Sequence, residues 1–373
     1  MTAATRRIEL SGPYFDEREE ELLLGVLRSG WLSLGPMLDR FEEAFAERVG
    51  AAHAAAVSSG TAGLHLSLHL AGIGPGDEVI TSPFSFVASA NCALYVGATP
   101  IFADIDPQTL NLDVAAVEAA ITERTRAIVA VDIFGYPFEL DALRELCDRH
   151  GLVLVEDACE ALGAEYRGRP LGSHGHLAVF AFYPNKQITT GEGGMVVTGS
   201  EDEWRLLKSL SNQGRAEDGS WLDHERLGFN YRLSDVAAAI GVAQLEKLDL
   251  LLELRSQVAS RYADLLRSVE GVEPLLADDG AHKRSWFVYP VRLAEQIDRD
   301  RLARELAEAG IATKVYLPSI HLQPYMRERF GFGEGMLPVS EEASRRLLSI
   351  PFHSGLEAED QERVVEALRA ALH

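Results

Sequence analysis

The sequence predicts an α/β protein whose core is an open, mostly parallel β-sheet covered by helices. Short, wholly apolar runs alternate with helical patterns through the first two-thirds of the chain. Such runs are typical of strands buried on both faces, as they are in a parallel sheet, and the alternation favours the α/β class. A ligand is therefore expected at the carboxyl ends of the strands.

Seven predicted strands follow one another along the chain. In order they lie in the segments AAHAAAVSS, VITSPF, TPIFADID, AIVAVDIFG, LVLVEDA, AVFAFY and MVVTGS. Helical patterns lie between the first five and cover about 61–71, 87–95, 113–121 and 140–150. The last two strands are separated by the polar, glycine-rich segment NKQITTGEGG, and its glycines predict a close approach of backbone to backbone.

A long helical pattern begins near Ser234 and leads into the last third of the chain. It runs through LEKLDLLLELRSQVASRYADLLRSV, and the chain ends in the helical segment DQERVVEALRAAL. We expect a large domain over residues 1–250, which includes the N-terminal segment, and a small C-terminal domain over 251–373.

Composition and charge exclude several classes of partner. The 373 residues carry a formal charge of −22, which repels a nucleic-acid backbone. No stretch reaches the roughly 18 apolar residues of a membrane span, and the N-terminus lacks an apolar signal core. Cys92, Cys147 and Cys159 are far apart and form no CxxC pair, so neither a metal site nor a disulfide framework is indicated. We expect a cytoplasmic protein with no nucleic-acid or membrane partner.

The segment SSGTAGLHL ends the first predicted strand and opens a helix. At such a point the free backbone N–H groups and the helix dipole favour a phosphate. Gly60 lets backbone approach closely, while Ser58, Ser59 and Thr61 add hydroxyl donors. An ordinary helix N-cap also uses serine or threonine, and this segment alone does not separate the two interpretations.

Asp157 follows the apolar strand LVLV and is expected at its carboxyl end. A carboxylate there can pair with a pyridinium nitrogen and keep the ring protonated, which makes the ring a strong electron sink. The alternative is an aspartate that terminates the strand or caps the next helix. Glu160 lies three residues on, where it can share a helix face and reach a ring oxygen of the same cofactor.

Lys186 lies between an apolar strand and the glycine-rich loop. Only a primary amine forms a Schiff base with an aldehyde cofactor, so the reaction requires a lysine. The chain has five lysines, which are Lys186, Lys208, Lys247, Lys283 and Lys314. Lys208 and Lys247 fall in charged helical runs and Lys283 in a polar segment, whereas Lys314, in ATKVYLP, is harder to dismiss.

Phe86 follows the strand end in TSPFSFVASAN and can lie flat against a pyridine ring, although an aromatic residue beside a strand is usually core. The phosphate turn, the aspartate, the lysine and this aromatic ring together meet the needs of pyridoxal 5′-phosphate. The four segments therefore predict a site for that cofactor.

Together these segments resemble the DegT/DnrJ/EryC1/StrS family of sugar aminotransferases, which belong to fold type I of the pyridoxal-phosphate enzymes. The resemblance covers almost the whole chain. It rests on SGWLSLGP, SSGTAGLHL, PGDEVITSPFSF, GATPIFADIDPQTLNLD, EDACEALGA, NKQITTGEGG, NQGR, LGFNYRLSDVAAAIGVAQLEKLD and YLPSIHLQPYM, in that order. It implies a large domain with a mostly parallel seven-stranded sheet between helices and a smaller α+β C-terminal domain.

The resemblance also implies a role for individual residues. Lys186 matches the Schiff-base lysine, Asp157 the pyridinium partner and Phe86 the stacking ring. Ser59, Gly60 and Thr61 match the phosphate turn, and Glu160 stands where the family often has Gln or Glu. Asn230 matches an asparagine that reaches the phosphate of the neighbouring subunit, which implies a homodimer with shared active sites. His321 matches a catalytic position near the substrate, and Tyr316 and Arg215 match substrate positions.

The chain departs from the family's pattern at Ala181. Many members carry a serine five residues before the lysine, and its hydroxyl donates to the cofactor. Here that hydroxyl is absent, so another donor is required. Tyr183 and the turn 58–61 are the candidates.

The resemblance implies transfer of an amino group from L-glutamate to a nucleotide-linked keto sugar, in the biosynthesis of deoxyamino sugars for polysaccharides or antibiotics. The loop ITTGEGG resembles that of members acting at C4 of a 4-keto-6-deoxyhexose. Lys283 and Arg284 offer positive charge for a substrate diphosphate, although two adjacent basic residues are more often surface.

Four alternatives are set against this interpretation. A cyclitol or ketocyclohexane aminotransferase belongs to the same family, and some chains of this fold are non-catalytic accessory proteins. A nucleotide-binding oxidoreductase needs GxGxxG at its first strand-to-helix turn, and SSGTAG is not that motif. Lys186 itself argues against a family dehydratase, in which histidine replaces the lysine.

Overall fold

The structure is a computed structural model that describes residues 6–216 and 223–372. The helices are α1 (Glu17–Ser29), α2 (Pro36–Val49), α3 (Gly60–Leu70), α4 (Ala88–Tyr95), α5 (Val114–Ala120), α6 (Leu140–His150), α7 (Glu201–Ser211), α8 (Asp235–Glu246), α9 (Leu248–Leu266), α10 (Arg299–Glu308), α11 (Pro324–Phe330), α12 (Pro338–Arg346) and α13 (Ala358–Leu372). Short 3₁₀ turns cover Ile133–Gly135 and Ile320–Leu322.

The strands are β1 (His53–Val57), β2 (Glu78–Thr81), β3 (Thr99–Phe102), β4 (Thr125–Val131), β5 (Val153–Asp157), β6 (Glu165–Tyr166), β7 (Arg169–Pro170), β8 (Leu177–Ala181), β9 (Gly194–Thr198), β10 (Val272–Pro274), β11 (His282–Lys283), β12 (Tyr289–Leu293) and β13 (Leu347–Ile350). No helix in the described ranges combines the length and the apolar character that crossing a membrane requires.

The main sheet has seven strands in the order β1-β9-β8-β5-β4-β2-β3. Strand β9 is antiparallel to both its neighbours, and every other neighbouring pair is parallel. The predicted α/β class, with a mostly parallel seven-stranded sheet between helices, is confirmed. The carboxyl ends of β1, β8, β5, β4 and β2 consequently meet at one edge of the sheet.

Helix α3 lies unusually close to the sheet because of a glycine. A Cβ atom on Gly63 would come within 2.6 Å of Cγ1 of Val179 in β8. The side chain of Ser59 caps the helix by accepting a hydrogen bond from the backbone N–H of Ala62. These two residues fix the helix N-terminus directly above the strand ends.

The predicted helices of the first two-thirds of the chain agree with the observed ones to within one residue at each end. The long helical pattern that was expected from Ser234 onward is instead two helices, because α8 ends at Glu246 and Lys247 separates it from α9. The ammonium group of Lys247 lies 2.6 Å from Asp16 and 2.9 Å from Glu19, at the start of α1. The break therefore coincides with an ion-pair cluster between helices.

The C-terminal part has its own core and its own antiparallel sheet, in the order β10-β12-β13. Helix α9 contributes to both cores, since Leu251 packs with the large sheet and Val258 packs with the C-terminal strands. We propose a domain division at this helix, near the expected boundary between residues 250 and 251. Ile8, at the other end of the chain, packs in the C-terminal core and pairs with Ile311.

Candidate active site

The turn between β1 and α3 has no room for side chains at two positions. A Cβ atom on Gly60 would lie 2.7 Å from Sγ of Cys159 and 2.9 Å from Cβ of Ala181. A Cβ atom on Gly194 would lie 2.6 Å from the carbonyl carbon of Ser59. The first turn of a helix leaves its backbone N–H groups without helical partners, so this close-packed turn presents donors at the strand ends.

Asp157 is the last residue of β5, and its carboxylate is buried. Its Oδ2 accepts a hydrogen bond of 2.7 Å from the hydroxyl of Ser89, and its Oδ1 accepts one of 3.3 Å from the backbone N–H of Cys159. Ser89 in turn lies 2.8 Å from the hydroxyl of Ser85. The carboxylate is therefore fixed in orientation at the sheet edge before any ligand binds.

Lys186 follows β8, and its side chain is largely buried beside Glu160. The Nζ atom lies 3.8 Å from Oε1 of Glu160 and 3.9 Å from the centre of the Phe287 ring. Burial raises the pKa of Glu160, while Lys186 and the backbone N–H of Phe134 lower it in part. The amine thus faces a buried carboxyl group on one side and an aromatic ring on the other.

The second oxygen of Glu160 is held by a strained turn after β4. Its Oε2 accepts a 2.9 Å hydrogen bond from the backbone N–H of Phe134, whose φ of 52° is left-handed. The next residue, Gly135, has φ 77°, and a Cβ atom there would lie 1.7 Å from the carbonyl oxygen of Ser285. Only glycine fits this position, so the turn that orients Glu160 depends on it.

The other four lysines are occupied elsewhere or exposed. Lys208 pairs with Glu42, Lys247 with Asp16 and Glu19, and Lys283 with Glu165. Lys314 is exposed and pairs through its backbone with Ser349. Lys186 is the lysine that the structure places at the sheet edge with Asp157 and the α3 turn.

Tyr316 lies beside the lysine. Its ring makes edge-on contacts with Phe134 and Phe287, at centroid distances of 6.3 and 6.4 Å. Its hydroxyl is 3.5 Å from Nδ2 of Asn185, the residue that precedes the lysine. Burial raises the pKa of Tyr316, and the nearby carboxyl of Glu160 raises it further.

Three of the residues singled out above lie open to solvent. Phe86 is 62% exposed and Tyr183 is 51% exposed, and Asn230 is also on the surface. Asn230 pairs through its backbone with Asn212. An aromatic side chain exposed at a cavity edge is available to cover a ligand or a partner surface.

His321 lies in a different environment from the one that its predicted catalytic role requires. It is fully buried, its Nε2 is 3.2 Å from Oε1 of Glu341, and its ring packs near Phe102. Within residues 6–216 and 223–372, no contact joins it to Lys186 or Glu160. The structure therefore does not bring His321 to the lysine.

Arg215 is half-buried and sits just before residues 217–222, which lie outside the described ranges. Its carbonyl accepts a 2.7 Å hydrogen bond from the hydroxyl of Ser209, and its backbone pairs with His224. These two contacts fix the backbone of Arg215.

The pair Lys283 and Arg284 does not form the exposed diphosphate site that was considered. Arg284 is buried, donates to the carbonyl oxygens of Phe134 and Leu276, and stacks between the rings of Tyr136 and Trp286. Lys283 pairs with Glu165 at 2.5 Å. The interpretation was wrong for Arg284 because the chain folds it inward as a support for the turn after β4.

Sequence reasoning missed three residues that hold the site together. Ser89 binds Asp157, Gln187 donates from its amide to the carbonyl oxygen of Glu160 at 2.6 Å, and Arg255 donates to the carbonyl oxygen of Lys186 at 2.9 Å. The position of Gln187 next to the lysine is a signal that could have been used. Arg255 gives no local signal, because it lies in an ordinary amphipathic helix.

The site combines a largely buried lysine, a fixed aspartate and a glycine-containing helix N-terminus at the carboxyl edge of the sheet. These groups suit an aldehyde cofactor that carries a phosphate. Comparison with known proteins places this site in a family. The sequence model of the DegT/DnrJ/EryC1/StrS aminotransferase family matches residues 13–369, and the chain belongs to that family.

The similarity to known relatives extends over nearly the full length of the chain. GDP-perosamine synthase of Caulobacter vibrioides is 39% identical over 371 residues, which cover 98% of each chain. The crystal structure of S. venezuelae DesV in complex with a ketimine intermediate is 37% identical, covers 98% of each chain and has a TM-score of 0.92. The PLP-form of Spr1654 from Streptococcus pneumoniae is 28% identical over 98% of each chain, with a TM-score of 0.93.

The chain is therefore a pyridoxal-phosphate-dependent sugar aminotransferase. Its residues fit the cofactor on three observations. The first turn of α3 presents backbone N–H groups at the strand ends, Asp157 has an oriented carboxylate, and Lys186 is a largely buried amine beside Glu160.

Proposed function

We propose that this aminotransferase moves the amino group of L-glutamate to C4 of a nucleotide-linked 4-keto-6-deoxyhexose. The observation that carries the proposal is the lysine site just described. The chain is also 39% identical to a protein whose name, GDP-perosamine synthase, is that of a nucleotide-sugar enzyme. The resemblance of the ITTGEGG loop to that of members acting at C4 supports the position on the sugar.

Lys186 is proposed to hold the cofactor through its amine and then to move the proton. Bound pyridoxal phosphate supplies an electron sink conjugated to the carbon that carries the amino group. With the cofactor bound, the amine of Lys186 would serve as the base that takes the proton from the donor's Cα and as the acid that gives it back. Its 3.8 Å separation from Glu160 gives the amine a neighbour of opposite charge while it is protonated.

Asp157 and Glu160 are proposed to fix the electronic state of the ring. Asp157, held by Ser89, would accept a hydrogen bond from the ring nitrogen and keep it protonated. Glu160 has one oxygen fixed by Phe134 and the other on the lysine side, which suits contact with the ring oxygen. Asp157 would thus hold a proton on the ring nitrogen, and Glu160 would hold one at the ring oxygen.

The phosphate is proposed to lie at the turn of Ser59, Gly60 and Thr61, where α3 begins. Phe86 would cover the face of the ring, which its exposure permits. With Ala181 in place of the serine, the hydroxyls of the turn or the exposed Tyr183 would supply the missing donor.

A homodimer with shared active sites is proposed, with Asn230 reaching the phosphate of the neighbouring subunit. Its support is that Phe86, Tyr183 and Asn230 are all exposed in the single chain. Further large apolar side chains are exposed on α1 and in the loop after it, namely Leu24, Leu27, Trp31, Leu32 and Leu34. An apolar surface of this kind is typical of a protein contact.

For the sugar substrate we propose contacts from Tyr316, which lies beside the lysine, and from Arg215. The direct catalytic role expected of His321 remains a prediction that its burial against Glu341 does not support. We propose that His321 instead supports the segment that carries Phe86. The backbone N–H of Ile320, next to His321, donates to the carbonyl oxygen of Pro83, three residues before Phe86. We also propose a cytoplasmic location, since Cys92, Cys147 and Cys159 are free thiols.

The test is a substrate panel. The purified protein is loaded with pyridoxal phosphate and incubated with L-glutamate and nucleotide-linked 4-keto sugars, nucleotide-linked 3-keto sugars or cyclitol ketones. We expect 2-oxoglutarate and a 4-amino sugar nucleotide, identified by NMR. Turnover of only the 3-keto sugars or only the cyclitol ketones would contradict the proposed substrate.

A further inference from the structure

Arg255, on helix α9, is a buried arginine that binds three backbone carbonyls. It is 2% exposed. Its Nη2 donates to the carbonyl oxygen of Lys186 at 2.9 Å, and its Nη1 lies 3.1 Å from the carbonyl oxygen of Phe287 and 3.4 Å from that of Trp286. One guanidinium group thus joins α9, the lysine loop and the segment before β12.

The charge of Arg255 is not balanced by a carboxylate in the part of the chain that the structure describes. Burial lowers its pKa to about 10, so the group is still protonated at neutral pH. A buried cation without a counter-ion costs free energy, and carbonyl oxygens offset only part of that cost. An apolar residue would serve better if the position existed only to fill space.

Two of the three carbonyls that Arg255 binds belong to Lys186 and Phe287, which define the position of the amine. Lys186 carries the amine, and the ring of Phe287 lies 3.9 Å from its Nζ atom. On the next residue, the side-chain amide of Gln187 donates to the hydroxyl of Ser285 at 3.1 Å and to its carbonyl oxygen at 3.2 Å. The lysine loop is therefore tied to segment 285–287 at two adjacent residues.

We propose that Arg255 is a positioning residue for Lys186. By binding the backbone of the lysine, Arg255 fixes the amine against Phe287, at the place where the amine meets the cofactor aldehyde. The inference rests on the proposed role of Lys186 in binding the cofactor. A guanidinium group presents several donors in one rigid plane, so it can bind three carbonyls at once, whereas a lysine ammonium at this position could not keep that fork geometry.

The competing explanation is that Arg255 only attaches α9 to the rest of the molecule. Tyr262 provides the matched control, because it is a fully buried residue two turns further along the same helix. Its hydroxyl donates to the carbonyl oxygen of Pro351 at 3.0 Å, away from the lysine loop. Tyr262→Phe removes a buried hydrogen bond from α9 without touching Lys186.

The experiment measures how fast the lysine reacts with the cofactor, independently of turnover. Cofactor is removed from the wild-type protein, Arg255→Lys, Arg255→Met, Tyr262→Phe and Lys186→Ala. Pyridoxal phosphate is then added, and the visible absorbance band of a lysine-bound cofactor is followed by stopped flow over a range of concentrations. The limiting rate at saturation reports condensation with the lysine, and the concentration dependence reports binding.

We expect both Arg255 variants to lower the limiting rate by about 10- to 100-fold, as misplacement of a reacting group does, while Tyr262→Phe stays within about twofold of wild type. Melting temperatures show which variants are folded. If Arg255→Met does not fold, the comparison is made with Arg255→Lys, which keeps the charge. Wild-type limiting rates in the folded Arg255 variants would overturn the inference. A band that also forms in Lys186→Ala, or fails to form in wild type, would instead refute the proposed role of Lys186.

Discussion

At the scale of single residues, the site is a set of charged groups held by neighbours that take no part in the chemistry. Asp157 is oriented by Ser89, Glu160 by the backbone of Phe134, and Lys186 by Arg255. Each anchor is a hydrogen bond of 2.7 to 2.9 Å. The reacting atoms therefore need little rearrangement when the cofactor and substrate arrive.

Replacement of Asp157 by asparagine tests the role of its charge. The amide keeps the size but removes the negative charge, and a hydrogen bond to a charged group contributes about 1.5–3 kcal/mol. We expect kcat to fall by roughly 10- to 100-fold, measured as 2-oxoglutarate formation at saturating substrate. Ser89→Ala, which keeps the charge and removes its anchor, should cause a smaller loss. Equal activity of Asp157→Asn and wild type would argue against the ring-nitrogen contact.

Glu160 should make the stability of the cofactor-free protein depend on pH. Its folded-state pKa is raised above the ordinary value, mainly by burial, so the stability contributed by its neutral form is lost as pH rises through that folded pKa. Glu160→Gln is neutral at every pH and keeps an acceptor for the Phe134 N–H. We therefore expect the variant to gain stability relative to wild type over the pH range above the ordinary glutamate pKa of about 4.3, as followed by thermal melting. A constant difference across that range would contradict a raised pKa for Glu160.

At the scale of elements, the site is built from the turns that follow the parallel strands. The turn after β1 supplies backbone donors, the turn after β4 fixes Glu160, β5 ends in Asp157, and the loop after β8 carries Lys186. Strand β9 returns antiparallel and places Gly194 against the α3 turn. The close approach of these turns depends on glycines whose neighbours leave no space for a side chain.

Gly135 offers a direct test of that dependence. Gly135→Ala places a Cβ atom 1.7 Å from the carbonyl oxygen of Ser285, in addition to the strain of a φ of 77°. Gly151→Ala is the matched control, since its φ is 65° and nothing lies within 4 Å of its Cβ position. The control should lose about 1 kcal/mol of stability in denaturant melts, and Gly135→Ala should lose several times more. Similar losses in both variants would mean that the packing against Ser285 does not constrain the turn.

Sequence patterns predicted the helices and strands that are determined by residues close together in the chain. The seven strands of the main sheet and the helices between them follow from apolar runs and capping residues such as Ser59. Asp157 and Lys186 could be located because strand ends are visible in the sequence. Arg255 and Phe287 could not, because they lie far from Lys186 along the chain and meet it only through tertiary packing. The inward turn of Arg284 likewise depends on Tyr136 and Trp286, which no local pattern links.

At the scale of the whole molecule, exposed apolar side chains support the proposed homodimer. Leu27, near the end of α1, is 58% exposed, and Trp31, just after the helix, is 60% exposed. Phe86 and Tyr183 are exposed beside the site. The proposed cross-subunit role of Asn230 requires such a second copy.

A charged substitution at this surface tests the proposed dimer. Trp31→Asp should shift the protein from dimer toward monomer in analytical ultracentrifugation and weaken its retention of pyridoxal phosphate, because a buried, unpaired charge opposes the contact. Leu250→Asp, at a residue on α9 that is 49% exposed, serves as the control and should leave both properties unchanged. A wild-type protein that sediments as a monomer and still turns over would contradict shared active sites.

The central claim is that Lys186 is the lysine that carries the cofactor. The most direct measurement is reduction of the loaded protein with borohydride, followed by peptide mass spectrometry to locate the pyridoxyl group among the five lysines. The account predicts that the label is on Lys186 alone, because Lys208, Lys247 and Lys283 are engaged in ion pairs and Lys314 is exposed beside Ser349. Stoichiometric label on any other lysine, with Lys186 unmodified, would contradict it.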